Sequence, residues 1–220
     1  MIRTDEQIKK DVIDQLASDY RVSAADVDVK VSDGKVTLTG TVPTYTARTA
    51  ANTDAWATTG VKGVTNLLTV RFPTTFTVPT DTEIEGHIKD RLAGNPDVYS
   101  VDIDVSVENG VATLEGTVDA YWKKWRAEDL ASDVRGVVNV QNHLAVVPSE
   151  TYIDKDIAQE IEDALERNVY VDAEKVTVKV ENGDVTLTGT VPTYYAKGQA
   201  YLAAVNTLGV TGVDNNTVVV

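Results

Sequence analysis

The residues able to do chemistry are sparse. His87 and His143 are the only two histidines, and cysteine is absent. A nucleophilic enzyme needs a general base beside its nucleophile, most often histidine, and a zinc site needs several His, Cys or carboxylate ligands at close spacing. The two histidines stand on different elements and do not form an i, i+4 ligand pair. Neither recurs in the internal repeat described below: Asp11 and Glu160 take the place of His87, and Val70 and Val219 that of His143. Carboxylates are abundant, and Glu128 with Asp129, or Asp102 with Asp104, could be imagined as an acid and base couple. Nothing selects one pair over its neighbours, and alternate positions of a strand face solvent more often than a site. The chain therefore reads as a non-enzyme, with no catalytic residue, metal ligand or cofactor expected.

Binding chemistry is concentrated in one stretch, Tyr121-Trp122-Lys123-Lys124-Trp125-Arg126. The apolar residues that follow, Ala127, Leu130, Ala131 and Val134, mark the buried stripe of a helix. At about 100° per residue, Trp125 lies nearly opposite that stripe, with Tyr121 and Trp122 flanking it. These rings are expected to face outward, although Tyr121 shares one repeated position with Tyr45 and Tyr194, for which a common packing or helix-start role is the competing expectation. Aromatic rings beside Lys123, Lys124 and Arg126 suit three roles: an anchor in anionic lipid, a contact for a protein partner, or docking onto an adjacent repeat. Trp122 and Trp125 are replaced by Thr46 and Thr49 in one neighbouring repeat and by Tyr195 and Gly198 in the other.

The elements that must position this stretch are written three times. Gly34 to Val42 returns as Gly110 to Val118 and as Gly183 to Val191. Asp5, Asp81 and Asp154 each stand at the same short distance before an isoleucine, and the spacing from Ile8, Ile84 and Ile157 to Gly34, Gly110 and Gly183 is identical in all three. Ile8, Val12 and Leu16, with their counterparts Ile84, Ile88, Leu92 and Ile157, Ile161, Leu165, are spaced as the buried face of a helix. The three aspartates are expected to cap those helices. Alternating valines flank Asp33-Gly34, Asn109-Gly110 and Asn182-Gly183, pairs that tolerate the positive φ of a tight hairpin. A second helix is predicted to start near Tyr45, Tyr121 and Tyr194, and a last strand to run over 64–72, 137–147 and 213–220. The predicted fold is α+β: three tandem repeats of helix, strand, strand, helix, strand over 1–73, 74–148 and 149–220. Each repeat should form a three-stranded mixed sheet with both helices on one face.

Two finer expectations come from alignment of the repeats. With Gly63-Val64, Gly136-Val137 and Gly212-Val213 taken as equivalent, the spans from Tyr45 to Gly63 and from Tyr194 to Gly212 are equal, and both exceed that from Tyr121 to Gly136. A longer loop is therefore predicted in the outer two repeats. Trp56 aligns with Val205 in the stripe Tyr194, Tyr201, Ala204, Val205, Leu208, and is expected in the core.

Composition limits the partners. The net charge is −14; it arises from nine cations against nine acids in 1–73, six against thirteen in 74–148, and five against twelve in 149–220. Such a surface repels phosphate backbones, so no nucleic-acid partner is expected. Met1 to Glu6 lack the apolar core of a signal peptide, and no run has the length of a transmembrane helix. A cytoplasmic location is expected, or a periplasmic one if a leader has been removed.

The Gly-x-Val-x-Leu-x-Gly-x-Val stretches at Gly34 to Val42 and Gly183 to Val191, with the Gly-Val pairs before each last strand, resemble the BON domain family, a small bacterial osmotic-stress and nodulation module. The middle repeat departs slightly, with Ala112 for the first valine and Glu115 before Gly116. The resemblance implies a non-enzymatic binding module, contacting proteins or phospholipid membranes in envelope-associated and stress-induced proteins. The chain is thus expected to bind or scaffold, through a protein partner or self-assembly. Peripheral phospholipid binding is the alternative, and a small-ligand carrier a further one that requires a cavity between repeats.

Overall fold

The computed structural model describes residues 3–98 and 102–220. The first repeat comprises α1 (Asp5–Ser18), β1 (Val27–Ser32), β2 (Lys35–Val42), α2 (Tyr45–Ala57), β3 (Gly63–Asn66) and β4 (Thr69–Val70). The second comprises α3 (Asp81–Ala93), β5 (Ile103–Glu108), β6 (Val111–Val118), α4 (Tyr121–Ser132), β7 (Asn139–Asn142) and β8 (Ala145–Val146). The third comprises α5 (Asp154–Glu166), β9 (Val176–Glu181), β10 (Asp184–Val191), α6 (Tyr194–Val205), β11 (Gly212–Asn215) and β12 (Val218–Val219). By their contacts, the residues group into two compact units: Met1–Lys89 with Ser106–Ala112 and Leu130–Gln141, and Asp90–Val105 with Thr113–Asp129 and Asn142–Val220.

The α+β repeat is as predicted. In the first repeat β1 and β2 form an antiparallel hairpin with Ser32 opposite Lys35, and β3 and β4 run parallel to β2. The third repeat has the same arrangement around β10, and in the second β6 is the central strand between β5 and the β7–β8 pair. One face of each hairpin is buried: Val36, Leu38 and Val42 close on Ile8, Val12 and Leu16, and Val185, Leu187 and Val191 on Ile157, Ile161 and Leu165. Towards the sheet the second helices present alanines, Ala47, Ala51 and Ala55 in α2 and Ala196, Ala200 and Ala204 in α6, all fully buried. Such short side chains bring the helix close to the strands. Trp56 packs against the first core but is only half-buried at its margin, and Leu208 is 51% exposed and lies outside the third.

Three features differ from the sequence-based expectation. The aspartates do not cap their helices. Thr4 and Thr80 do so in the first two repeats, each in a capping box, with Gln7 and Glu83. In the third, Ile153 stands at the cap and makes no side-chain bond. Asp5 instead reaches the hairpin turn: its two carboxylate oxygens accept the N–H groups of Asp33 and Gly34 at 2.8 and 2.9 Å. Asp81 binds Asn109 and Gly110, and Asp154 binds Asn182 and Gly183, at the same distances. The turn residues have φ of 52° to 53° at Asp33, Asn109 and Asn182, which aims two successive N–H groups at one point.

The last strand is two short segments in unbroken register. Asn66 accounts for the interruption. Its Nδ2 donates to the Arg48 carbonyl of α2 at 2.9 Å, and its Oδ1 accepts the Leu68 N–H, which is thereby turned away from β2. Asn142 and Asn215 repeat both bonds, to Lys124 and Leu144 and to Lys197 and Thr217. Opposite the gap, Gly40 has φ of +112°, and a Cβ there would collide with the Asp26 carbonyl. Only glycine avoids both problems.

The predicted loop difference does not exist. Lys62, Val138 and Thr211 donate equivalent hydrogen bonds to Gly34, Gly110 and Gly183, so Gly136 corresponds to Gly60 and Gly209 rather than to Gly63 and Gly212. Their φ values, +97°, +93° and +83° respectively, agree. The length difference lies in the joints, the stretch from Val70 to Asp81 being longer than that from Val146 to Asp154.

Replacing Asp154 by alanine removes both acceptors from the β9–β10 turn. Hydrogen bonds to charged groups contribute about 1.5–3 kcal/mol each when buried, less here because the site is partly wet. Hydrogen exchange at the Asn182 and Gly183 amides should accelerate at least about tenfold in Asp154→Ala, with Asp154→Asn intermediate. Unchanged exchange in Asp154→Ala would contradict the role assigned to this carboxylate.

Candidate functional site

The aromatic and basic stretch opens α4. Ala127 and Ala131 are fully buried, which fixes the inner face, and Trp125 on the opposite side is 50% exposed. Tyr121 does not face outward as the helical wheel predicted. It packs against the hydrophobic core of the third repeat, beside Tyr201 of α6. Burial, with the Tyr121 hydroxyl nearby, raises the Tyr201 pKa. Trp122 is half-buried, with the Lys123 ammonium 5.6 Å from its ring centre.

The cations are largely neutralised. Lys123 pairs with Asp119 at 2.7 Å and Arg126 with Asp129 at 2.6 Å. Lys124 is half-buried, and its backbone carbonyl accepts from the Asn142 amide. Between Asp119 and Asp129 three cations face Asp119, Glu128 and Asp129, so the stretch carries no net charge. The structure thus splits the six residues: Tyr121 belongs to an internal contact, and Trp125 is the ring left on the surface.

The remaining chemical candidates stay dispersed. His87 on α3 and His143 between β7 and β8 are both outside the buried core. The His143 backbone N–H bonds Leu114 as Leu67 bonds Leu38 and Asn216 bonds Leu187, so its true counterparts are Leu67 and Asn216, not Val70 and Val219. Asp129 is tied to Arg126, and Glu128 accepts from Asn142. Among the described residues, no three His, Asp or Glu side chains converge to hold a metal ion. Among the same residues, no helix is long and apolar enough to cross a membrane.

Two groupings escaped the sequence reading. On the third repeat, Tyr170 and Tyr195 meet edge to face at 4.8 Å, 54% and 57% exposed, next to Val169 at 89%. Tyr195 is the counterpart of Trp122, so an aromatic at that place on two repeats was the available signal. In the first repeat, the Asp54 carboxyl on α2 is buried beside Asp19 and Gln15 at the end of α1. Arg21 grips Asp19 with two nitrogens and lowers its pKa to about 2. Burial, with the adjacent Asp19 charge, raises that of Asp54, whose Oδ2 has no hydrogen-bond partner among the described residues. Two carboxyls with divergent acidity could serve as an acid and base, but Asp54 is closed to solvent and Asp19 is locked to its arginine.

Protons act on these two carboxyls in opposite directions. A raised folded pKa makes Asp54 favourable to stability below the ordinary carboxylate value, and that contribution is lost as pH rises through the folded value. The Asp19 contribution is instead lost as pH falls from near 3.8 towards about 2. Asp54→Asn should therefore stabilise the first repeat at pH 7 by about 1 kcal/mol, since the buried carboxylate charge is removed. The gain should vanish towards pH 4, as read by thermal unfolding at the two pH values.

Comparison with known proteins agrees with the repeated architecture. The model of the BON domain matches residues 4–71, 80–148 and 153–220. The chain is 32% identical to osmotically-inducible protein Y of Escherichia coli K12 over 142 residues, covering 62% of this chain and 71% of that one. An uncharacterised protein from the gshII 5′ region of Anaplasma centrale is 29% identical over 126 residues, 56% of this chain and 83% of that one. Among solved structures, CdsD, a structural protein of the type III secretion system of Chlamydia trachomatis, aligns over 96% of this chain and 91% of its own. Its identity is 16% and its TM-score 0.27, too low to bear on function. Three matches spanning almost all of the sequence, on three copies of one α+β unit, make this chain a member of the BON domain family.

Proposed function

We propose that the chain is a non-enzymatic binding and scaffolding protein, which contacts a protein partner or further copies of itself through the outer face of α4 around Trp125. The observation that carries this reading is the pairing of Tyr121 and Trp125, one turn apart on the same helix. Tyr121 is already engaged in a contact with a neighbouring repeat, and Trp125 continues that face into solvent, 50% exposed. Large aromatic anchors of this kind account for much of the energy of protein contacts. Tyr170 and Tyr195 offer a second exposed aromatic surface for such an assembly.

Charge favours a protein over a lipid. Binding to anionic membranes needs unpaired cations close to the rings, each contributing about 1 kcal/mol near the surface. Lys123 and Arg126 are committed to Asp119 and Asp129, and the chain as a whole is strongly acidic. A setting in osmotic stress is supported by the name of the Escherichia coli relative.

The test compares wild type with Trp125→Ala, a surface change expected to alter stability by no more than about 0.5 kcal/mol. Light scattering over a range of concentrations should give a mass above one chain for the wild type, or a shared complex with a captured partner, and Trp125→Ala should lose it. A wild-type monomer without such a complex, whose tryptophan emission shifts to the blue on anionic vesicles and does not in Trp125→Ala, would overturn this reading in favour of peripheral lipid binding.

A further inference from the structure

Both phenylalanines of the sequence lie in the joint between the first two repeats. Phe72 and Phe76 face each other with ring centres 5.1 Å apart, and the Arg135 guanidinium stands 5.4 Å over the Phe76 ring. Together with Tyr45 at the start of α2 and the turn at Gly136, they line a cleft of about 480 Å³. That volume lies within the range of about 300–1,000 Å³ typical of small-molecule sites.

Nothing in the BON fold requires this cleft. The counterparts of Arg135 are Thr59 and Leu208, and the second joint is shorter and has no phenylalanine. Arg135 is exposed and forms no ion pair among the described residues, whereas Ser132 and Asp133 on the same wall each have an interaction partner. A guanidinium stacked on an aromatic ring keeps its in-plane N–H donors available, and their fork matches a carboxylate. An unpaired arginine beside two half-buried rings selects an anion with an apolar body.

We propose that this cleft binds a small aryl or alkyl monocarboxylate. The carboxylate lies in the fork of Arg135, and the apolar body covers Phe72, Phe76 and the Tyr45 ring. The site is separate from the Trp125 surface, so either assignment can fail without the other.

The test is calorimetric titration of the full chain with 2-naphthoate, with 2-naphthamide as its uncharged analogue. Saturable binding of one naphthoate per chain is expected, weakened at least about tenfold by Arg135→Gln and by exchange of the carboxylate for the amide. Arg135→Lys should recover part of the loss, Phe76→Leu should weaken both probes, and Trp125→Ala should change neither. Absence of saturation at millimolar naphthoate would overturn the proposal. So would equal affinity of wild type and Arg135→Gln, a surface variant whose fold is checked by circular dichroism.

Discussion

Each repeat depends on one carboxylate that joins its first helix to its hairpin. Asp5, Asp81 and Asp154 stand in the first turn of a helix and accept two adjacent N–H groups from a turn in the following hairpin. A tight turn with two residues at positive φ leaves those donors pointing outward together, and without an acceptor they would lose charge-assisted hydrogen bonds that the turn otherwise makes. A single carboxylate satisfies both. The bond thereby fixes where the helix starts over the sheet, and the stripe Ile8, Val12, Leu16 then falls on Val36 and Leu38 without further adjustment.

A second polar tie completes the unit from the other end. Asn66, Asn142 and Asn215 each use one amide to hold the second helix and to interrupt the last strand. With both helices positioned by polar ties, the interior can be built of short side chains, which explains the alanines of α2 and α6. It also explains why a tryptophan at position 56 is tolerated only at the margin of the core, half-buried.

Because the ties and the core are common to all repeats, the positions they leave free are where the repeats differ. The outer face of α4, the Tyr170 and Tyr195 pair and the Phe72, Phe76 and Arg135 cluster are each found once among the described residues. None is needed to fold a BON domain, and each exposes apolar surface that a solvated scaffold would be expected to avoid. The chain thus combines one structural solution with three different surfaces.

The sequence by itself determined much of what depends on neighbours along the chain, though not the caps at Thr4 and Thr80. The helical stripe at Ile8, Val12 and Leu16, the alternation around Leu38 and the Asp33-Gly34 turn were all legible, because period and turn chemistry act over a few residues. The threefold repeat pointed to the family for the same reason. What only the tertiary structure decided involved partners distant in sequence. Asp5 reads as a cap because the turn it serves lies beyond the helix, on the far side of the first strand. Spacing alone sets Gly136 beside Gly63, because it cannot distinguish a shifted joint from a longer loop. A helical wheel sends Tyr121 to solvent because it knows the face of a helix but not the repeat beside it. The cleft at Arg135 was invisible because its walls come from three separated segments, 43–46, 72–76 and 132–137. Local energies are written in adjacent residues, whereas a surface or a cavity exists only once the chain has brought remote ones together.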